Sequence, residues 1–136
     1  MSDNYLHSDL TSEIINAYYK VFNTLGYGFL QKVYENALLI ELRARGLFCA
    51  RQVPIDLFYE KEKVGFYFAD LIVNDCVIIE VKAADSLCEE HEAQLTNYLK
   101  ATNIEVGLLL NFGKKPEFKR KVFSSEFKNH NLSSPS

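Results

Sequence analysis

The pattern of apolar residues predicts an α/β protein in which a mixed sheet lies between helices in three layers. Two observations carry that expectation. The hydrophobic period is helical over the first third of the chain, falls to two through the middle, returns to helical after residue 87 and ends on a further apolar run. The stretch from Cys76 to Val81 is almost continuously apolar, which suits a central strand covered on both faces.

The elements follow in order. Residues 9–24 carry Leu10, Ile14, Ala17, Tyr18, Val21 and Phe22 at helical spacing, with Ser8 or Asp9 available as the cap. Gly26-Tyr27-Gly28 breaks the pattern. A second helix over 30–45 places Leu30, Val33, Tyr34, Ala37, Leu38 and Leu42 on one face and stops at Gly46. Gln31 and Glu35 fall on the margin of that face, Glu35 tilting further toward solvent. Glu41 falls near its middle, where a carboxylate needs a partner. Gln52–Tyr59 alternates Val53, Ile55, Leu57 and Tyr59 as a strand. Lys61-Glu62-Lys63 turns the chain into a second strand, Val64–Val73, and Asn74-Asp75 leads to a third, Cys76–Val81. Leu87–Ala101 is helical, Val106–Phe112 is a buried fourth strand, and 117–128 fits a short helix or an edge strand. The order is α-α-β-β-β-α-β. Consecutive strands favour an antiparallel meander, and the crossover helix favours parallel pairing of the fourth.

With 136 residues, the chain fits one domain over 1–136, with a core over about 8–123 and a flexible tail at 129–136. A hydrophobic share of 48% excludes a disordered chain, and no apolar run approaches the length of a membrane span. The polar start, Met1-Ser-Asp-Asn-Tyr5, does not read as a signal or transit peptide. Cys49, Cys76 and Cys88 are odd in number and lack CxxC spacing, which fits a reducing compartment. Cys88 and His91 stand three apart, too few ligands for zinc. A cytoplasmic protein with no membrane partner is the expectation.

The net charge of −3 does not advertise a polyanion ligand, so phosphate contacts would need a local patch. Lys114, Lys115, Lys119, Arg120, Lys121 and Lys128 supply one, although a charge run of this kind also serves as a solvated surface.

The chemistry centres on Asp70 and on Glu80-Val81-Lys82. Glu80 and Lys82 are two apart and leave the same face of a strand. A two-residue turn at 74–75 would place Asp70 opposite Ile79 and away from Glu80. A three-residue loop at 74–76, or a bulge, would place it opposite Glu80, so a shared site requires that second register. Two carboxylates beside a lysine suit a hard divalent cation such as Mg²⁺ or Mn²⁺, with Asp70, Glu80 and the Val81 carbonyl as ligands. Lys82 would then serve the attacking water. The competing reading is a structural ion pair at a strand end.

These residues resemble the signature of PD-(D/E)XK nucleases, with Ala69 in the place of the proline. Gln94-Leu-Thr-Asn-Tyr98 matches the QxxxY motif of the RecB-like members of that superfamily. Gly28-Phe-Leu-Gln31-Lys-Val-Tyr34 resembles the opening of the GxxExxY proteins, with Gln31 where those have Glu. The likeness continues through Arg45-Gly46 and Glu92-Ala-Gln-Leu-Thr-Asn-Tyr-Leu-Lys to Phe118-Lys-Arg. The resemblance implies a restriction-endonuclease-like fold and metal-dependent cleavage of nucleic acid, DNA first. It implies Asp70, Glu80 and Lys82 as catalytic, Gln31 as an outer metal ligand, and Gln94 and Tyr98 as substrate-positioning groups. Lys114 and Lys115 would then track the substrate backbone. The alternative is a nuclease-fold protein that binds nucleic acid or a protein partner without turnover, or a homodimeric interaction module. Gln31 removes a negative charge from the metal shell and bears on that choice.

Overall fold

The computed structural model describes residues 6–128; the expected tail at 129–136 lies outside them, as do residues 1–5. Two helices come first, α1 (Ser8–Leu25) and α2 (Gln31–Ala44). The strands β1 (Cys49–Tyr59), β2 (Glu62–Val73) and β3 (Val77–Lys82) follow, then α3 (Glu89–Lys100), β4 (Val106–Phe112) and β5 (Pro116–Val122). A 3-10 turn at Ser125–Phe127 closes the described chain. The 117–128 stretch thus resolves mainly as an edge strand. The five strands lie in sequence order, antiparallel except for the β3–β4 pair that α3 joins.

The two sides of the sheet bury separate apolar clusters. Ile14, Tyr18, Tyr34, Leu38 and Leu42 of α1 and α2 pack on Leu71, Val73, Ile79, Val81 and Leu108. Leu95, Tyr98 and Leu99 of α3 pack on Ile55, Ala69, Ile72, Ile78 and Leu109. β3 is buried along its length except for Lys82, as expected of a central strand. Covering both faces of such a strand removes each large side chain from water, worth about 1.5–3 kcal/mol apiece.

Local chemistry sets the ends. α1 begins one residue early: His7, at φ 55, occupies the cap position, and neither Ser8 nor Asp9 caps the helix. α2 ends as predicted at Gly46. The Gly46 N–H donates to the Arg43 carbonyl and the Leu47 N–H to that of Leu42, closing the last turn. Glu41 has its partners, Arg45 at 2.9 Å and Lys20 at 3.1 Å. Gly107 is needed for a close approach, because a Cβ there would stand 2.7 Å from Leu95 Cδ1.

Candidate active site

The β2–β3 hairpin adopts the register that a shared site demands. Leu71 pairs with Ile79, Ile72 with Ile78 and Val73 with Val77, which leaves 74–76 as the loop. Asn74 and Asp75 hold it in left-handed conformations, at φ 51 and 54. Asn74 is pinned from outside, since its side-chain oxygen accepts the Phe48 N–H at 2.9 Å. One step beyond Leu71 and Ile79 stand Asp70 and Glu80, and there side chains replace the backbone ladder. The Asp70 N–H donates to Glu80 Oε2, and the Val81 N–H donates to Asp70 Oδ2, both at 2.8 Å.

A defect in the neighbouring pair lets this happen. β1 pairs Arg51 with Leu71 and Val53 with Ala69, stepping over Gln52 and Asp70. Gln52 has φ 49, a left-handed conformation uncommon for a residue with a side chain. At this step both strands change faces. Ala69 and Val53 pack on the α3 side, whereas Leu71 and Cys49 pack on the α1–α2 side. The fault turns Asp70 into the gap between the two faces, where it meets groups from both. From the α2 side comes Glu35, buried at 3% exposure. Its Oε1 accepts a hydrogen bond from Gln52 Nε2 at 2.7 Å and faces Lys32 at 3.4 Å.

The expectation that Glu35 tilts to solvent is therefore corrected. The margin of the apolar face closes over the sheet fault, and Glu35 is drawn in. Gln31, one turn earlier, is exposed at the opening of α2 and makes no hydrogen bond to Asp70, Glu80 or Lys82. Glu35, one turn on, is the α2 acid whose charge bears on Asp70 and Glu80. Gln52 escaped the sequence reading and left no signal, since a single polar residue at the start of a strand is common.

Electrostatics follow from this crowding. Burial, then the charge of Asp70 beside it, pushes the Glu80 carboxyl up to about 8. Burial also raises Asp70, and Glu35 adds to the effect, while the Val81 N–H and Lys82 oppose it. Two carboxylates held this close favour a shared proton or a cation. Lys82 donates to Gln94 Oε1 at 3.0 Å, which ties β3 to α3. Burial raises the Tyr98 hydroxyl to about 12, with the charges of Glu80 and Asp70 contributing, so it stays protonated as a donor beside them. Asp70, Glu80, Lys82, Gln94 and Tyr98 are thus brought into one neighbourhood. Lys114 and Lys115 are exposed in the β4–β5 turn. Lys114 shares a small cavity with Ala83–Asp85, the segment that leaves Lys82. His91 accepts the Cys88 N–H at 3.3 Å, a role at the start of α3.

Among the described residues, no three His, Cys, Asp or Glu side chains form a complete metal cage. A pair of carboxylates with an adjacent carbonyl still matches an ion that keeps several waters and binds beside phosphate. Burial first, and the neighbouring carboxylates after it, disfavour the ionised forms of Asp70 and Glu80, a cost that a divalent cation would offset.

A three-layer fold with paired carboxylates and a lysine where two strands part defines a nuclease-like α/β protein. The sequence profile of the PD-(D/E)XK nuclease superfamily matches residues 8–121, and the chain belongs to that superfamily. Its nucleases generally use divalent metal ions. Among solved structures, that of SSO0001 is similar in fold, with a TM-score of 0.54 and 19% identity. The match covers 88% of this chain and 60% of that one, so the chain spans somewhat less than two thirds of its length. No curated protein matches the chain. No helix among the described residues is long and apolar enough to cross a membrane.

Proposed function

We propose that the protein hydrolyses nucleic-acid phosphodiester bonds, DNA in the first instance, with Mg²⁺ or Mn²⁺. The observation that carries this reading is the pair of hydrogen bonds from the Asp70 N–H to Glu80 and from the Val81 N–H to Asp70, beside a lysine fixed by Gln94. Asp70, Glu80 and the Val81 carbonyl are the inner ligands. Glu35 takes the outer position first assigned to Gln31, acting through Gln52. The bound ion would supply Lewis-acid stabilisation of charge on the phosphate. Lys82 holds an ammonium at the exit of β3, where it can orient a water and stabilise negative charge on the phosphate oxygens. Its bond to Gln94 restricts its rotamers, so the charge is positioned before substrate arrives. Gln94 and Tyr98 present an amide and a hydroxyl to the substrate, and Lys114 and Lys115 lie along its path. The QxxxY pair and the Gly28–Tyr34 motif support reading the chain as the GxxExxY type of RecB-like nuclease. Gly28, at φ 106, starts the loop whose Phe29 N–H donates to Tyr34.

The test is incubation of the purified protein with DNA or RNA in Mg²⁺ or Mn²⁺, beside Asp70→Asn and Lys82→Ala. Metal-dependent cleavage lost in both variants supports the reading. Wild-type protein that binds nucleic acid without cutting it, in either metal, overturns it in favour of a binding module.

A further inference from the structure

A cleft of about 560 Å³ opens beside the candidate active site, between α3 and the β1–β2 hairpin. Its walls are Leu57 and Tyr67 from the hairpin and Ala93, Gln94, Asn97 and Tyr98 from α3. The volume lies in the range of small-ligand sites, about 300–1,000 Å³. Small side chains at 93 and 101, on the ridge of α3 that faces the hairpin, keep it open. It is continuous with the proposed site, because Gln94 both lines it and accepts the Lys82 hydrogen bond.

The lining indicates what part of a substrate fits. The ring of Tyr67 is half exposed, lines the cleft and stands 5.6 Å from that of Tyr98 at a tilt of 43°, so part of it is open to a stacking partner. Asn97 offers an amide that can both donate and accept. The acidic residue among its lining is Glu90, whose charge disfavours phosphate inside. The complementary group is planar, uncharged and edged with hydrogen-bonding atoms.

We propose that this cleft receives an unstacked nucleobase next to the scissile phosphate, so that the substrate carries unpaired nucleotides at the cut. The proposal rests on the phosphodiesterase reading of the neighbouring site and narrows it to single strands, flaps or frayed ends. A continuous duplex keeps its bases stacked on one another and has none to offer. Phosphates stay outside, toward Lys82 and Lys114, while the base turns in against Tyr67.

The test separates binding from turnover. Affinities of a labelled oligothymidine, an oligouridine and a duplex of equal length are measured by anisotropy in Ca²⁺ or EDTA. The expected result is preference for a single strand, with Tyr67→Ala weakening it roughly tenfold or more, as loss of one stacking partner does. Tyr67→Phe should retain the affinity, and Ala93→Phe, which fills the cleft from an exposed position, should lose it. A 2-aminopurine base in the strand should be quenched on binding to wild type and to Tyr67→Phe but not to Tyr67→Ala. Equal affinity of wild type and Ala93→Phe for the single strand, with no quenching, overturns the cleft assignment even if the protein cuts duplex DNA. Cleft-dependent binding without cleavage keeps the base cleft but refutes the enzyme and with it the scissile phosphate beside the cleft. An oligodeoxyuridine beside the oligouridine isolates the sugar it accepts.

Discussion

Each carboxylate at the strand fault has a different task, and the differences are measurable. Burial, then the neighbouring charge of Asp70, pushes the Glu80 carboxyl up to about 8 from an ordinary 4.5. A raised acid holds its proton in the native state over a range where the unfolded chain has released it. Between pH 4.5 and pH 8 the native protein therefore binds more protons, and its stability falls as pH rises. Thermal melting in EDTA across that window should show this decline, shallower in Glu80→Gln. A divalent cation held by the proposed site would bind the ionised pair, so the Mg²⁺-dependent gain in Tm should grow with pH and vanish in Glu80→Gln. Melting that is flat in pH for wild type would contradict the strained pairing. Glu35 makes a second prediction. Glu35→Gln should weaken Mg²⁺ binding and cleavage severalfold, whereas Gln31→Ala should change either by less than about twofold, because only Glu35 is buried against the site. Metal titration by calorimetry distinguishes the two.

Strands and helices position these groups through contacts that single substitutions can break. A methyl at Gly107 would overlap Leu95, so Gly107→Ala should push α3 off the sheet at a cost of about 1–3 kcal/mol, read from urea denaturation. Because Gln94 rides on the same helix, single-strand binding should weaken as well. At the other end of α3, Lys128 donates to the carbonyls of Leu99, Thr102 and Ile104. Lys128→Met should cost about 1 kcal/mol by leaving that helix end without its cation. The elements themselves were legible from hydrophobic period, and the hairpin register was legible as a condition: a common site required the 74–76 loop, which is the loop observed. What stayed hidden was the face switch at Gln52 and Asp70. Period-two alternation assumes extended backbone throughout, and one left-handed residue inverts every assignment beyond it. The same limit misplaced Glu35, since a helical wheel ranks positions against an ideal axis and knows nothing of the opening above which α2 lies.

At the scale of the molecule, charge decides how nucleic acid could be held at all. The net charge of −3 gives no long-range attraction, so affinity must come from a local edge. Of the basic run near the C-terminus, Lys121 pairs with Glu92, Arg120 binds the Leu6 carbonyl and Lys128 caps α3. These three are committed to the fold. Lys114, Lys115 and Lys119 are exposed and form no ion pair among the described residues. The patch read from sequence as six charges thus contracts to three that can meet phosphate. Counterion release then sets a quantitative expectation. Each single-strand phosphate neutralised contributes about −0.7 to the slope of log K against log salt. Lys114→Ala with Lys115→Ala should make the slope shallower by about 1.4, leaving the Tyr67-dependent part of the affinity unchanged at high salt. A slope unaltered by the double substitution would move the backbone path away from the β4–β5 turn and onto another face.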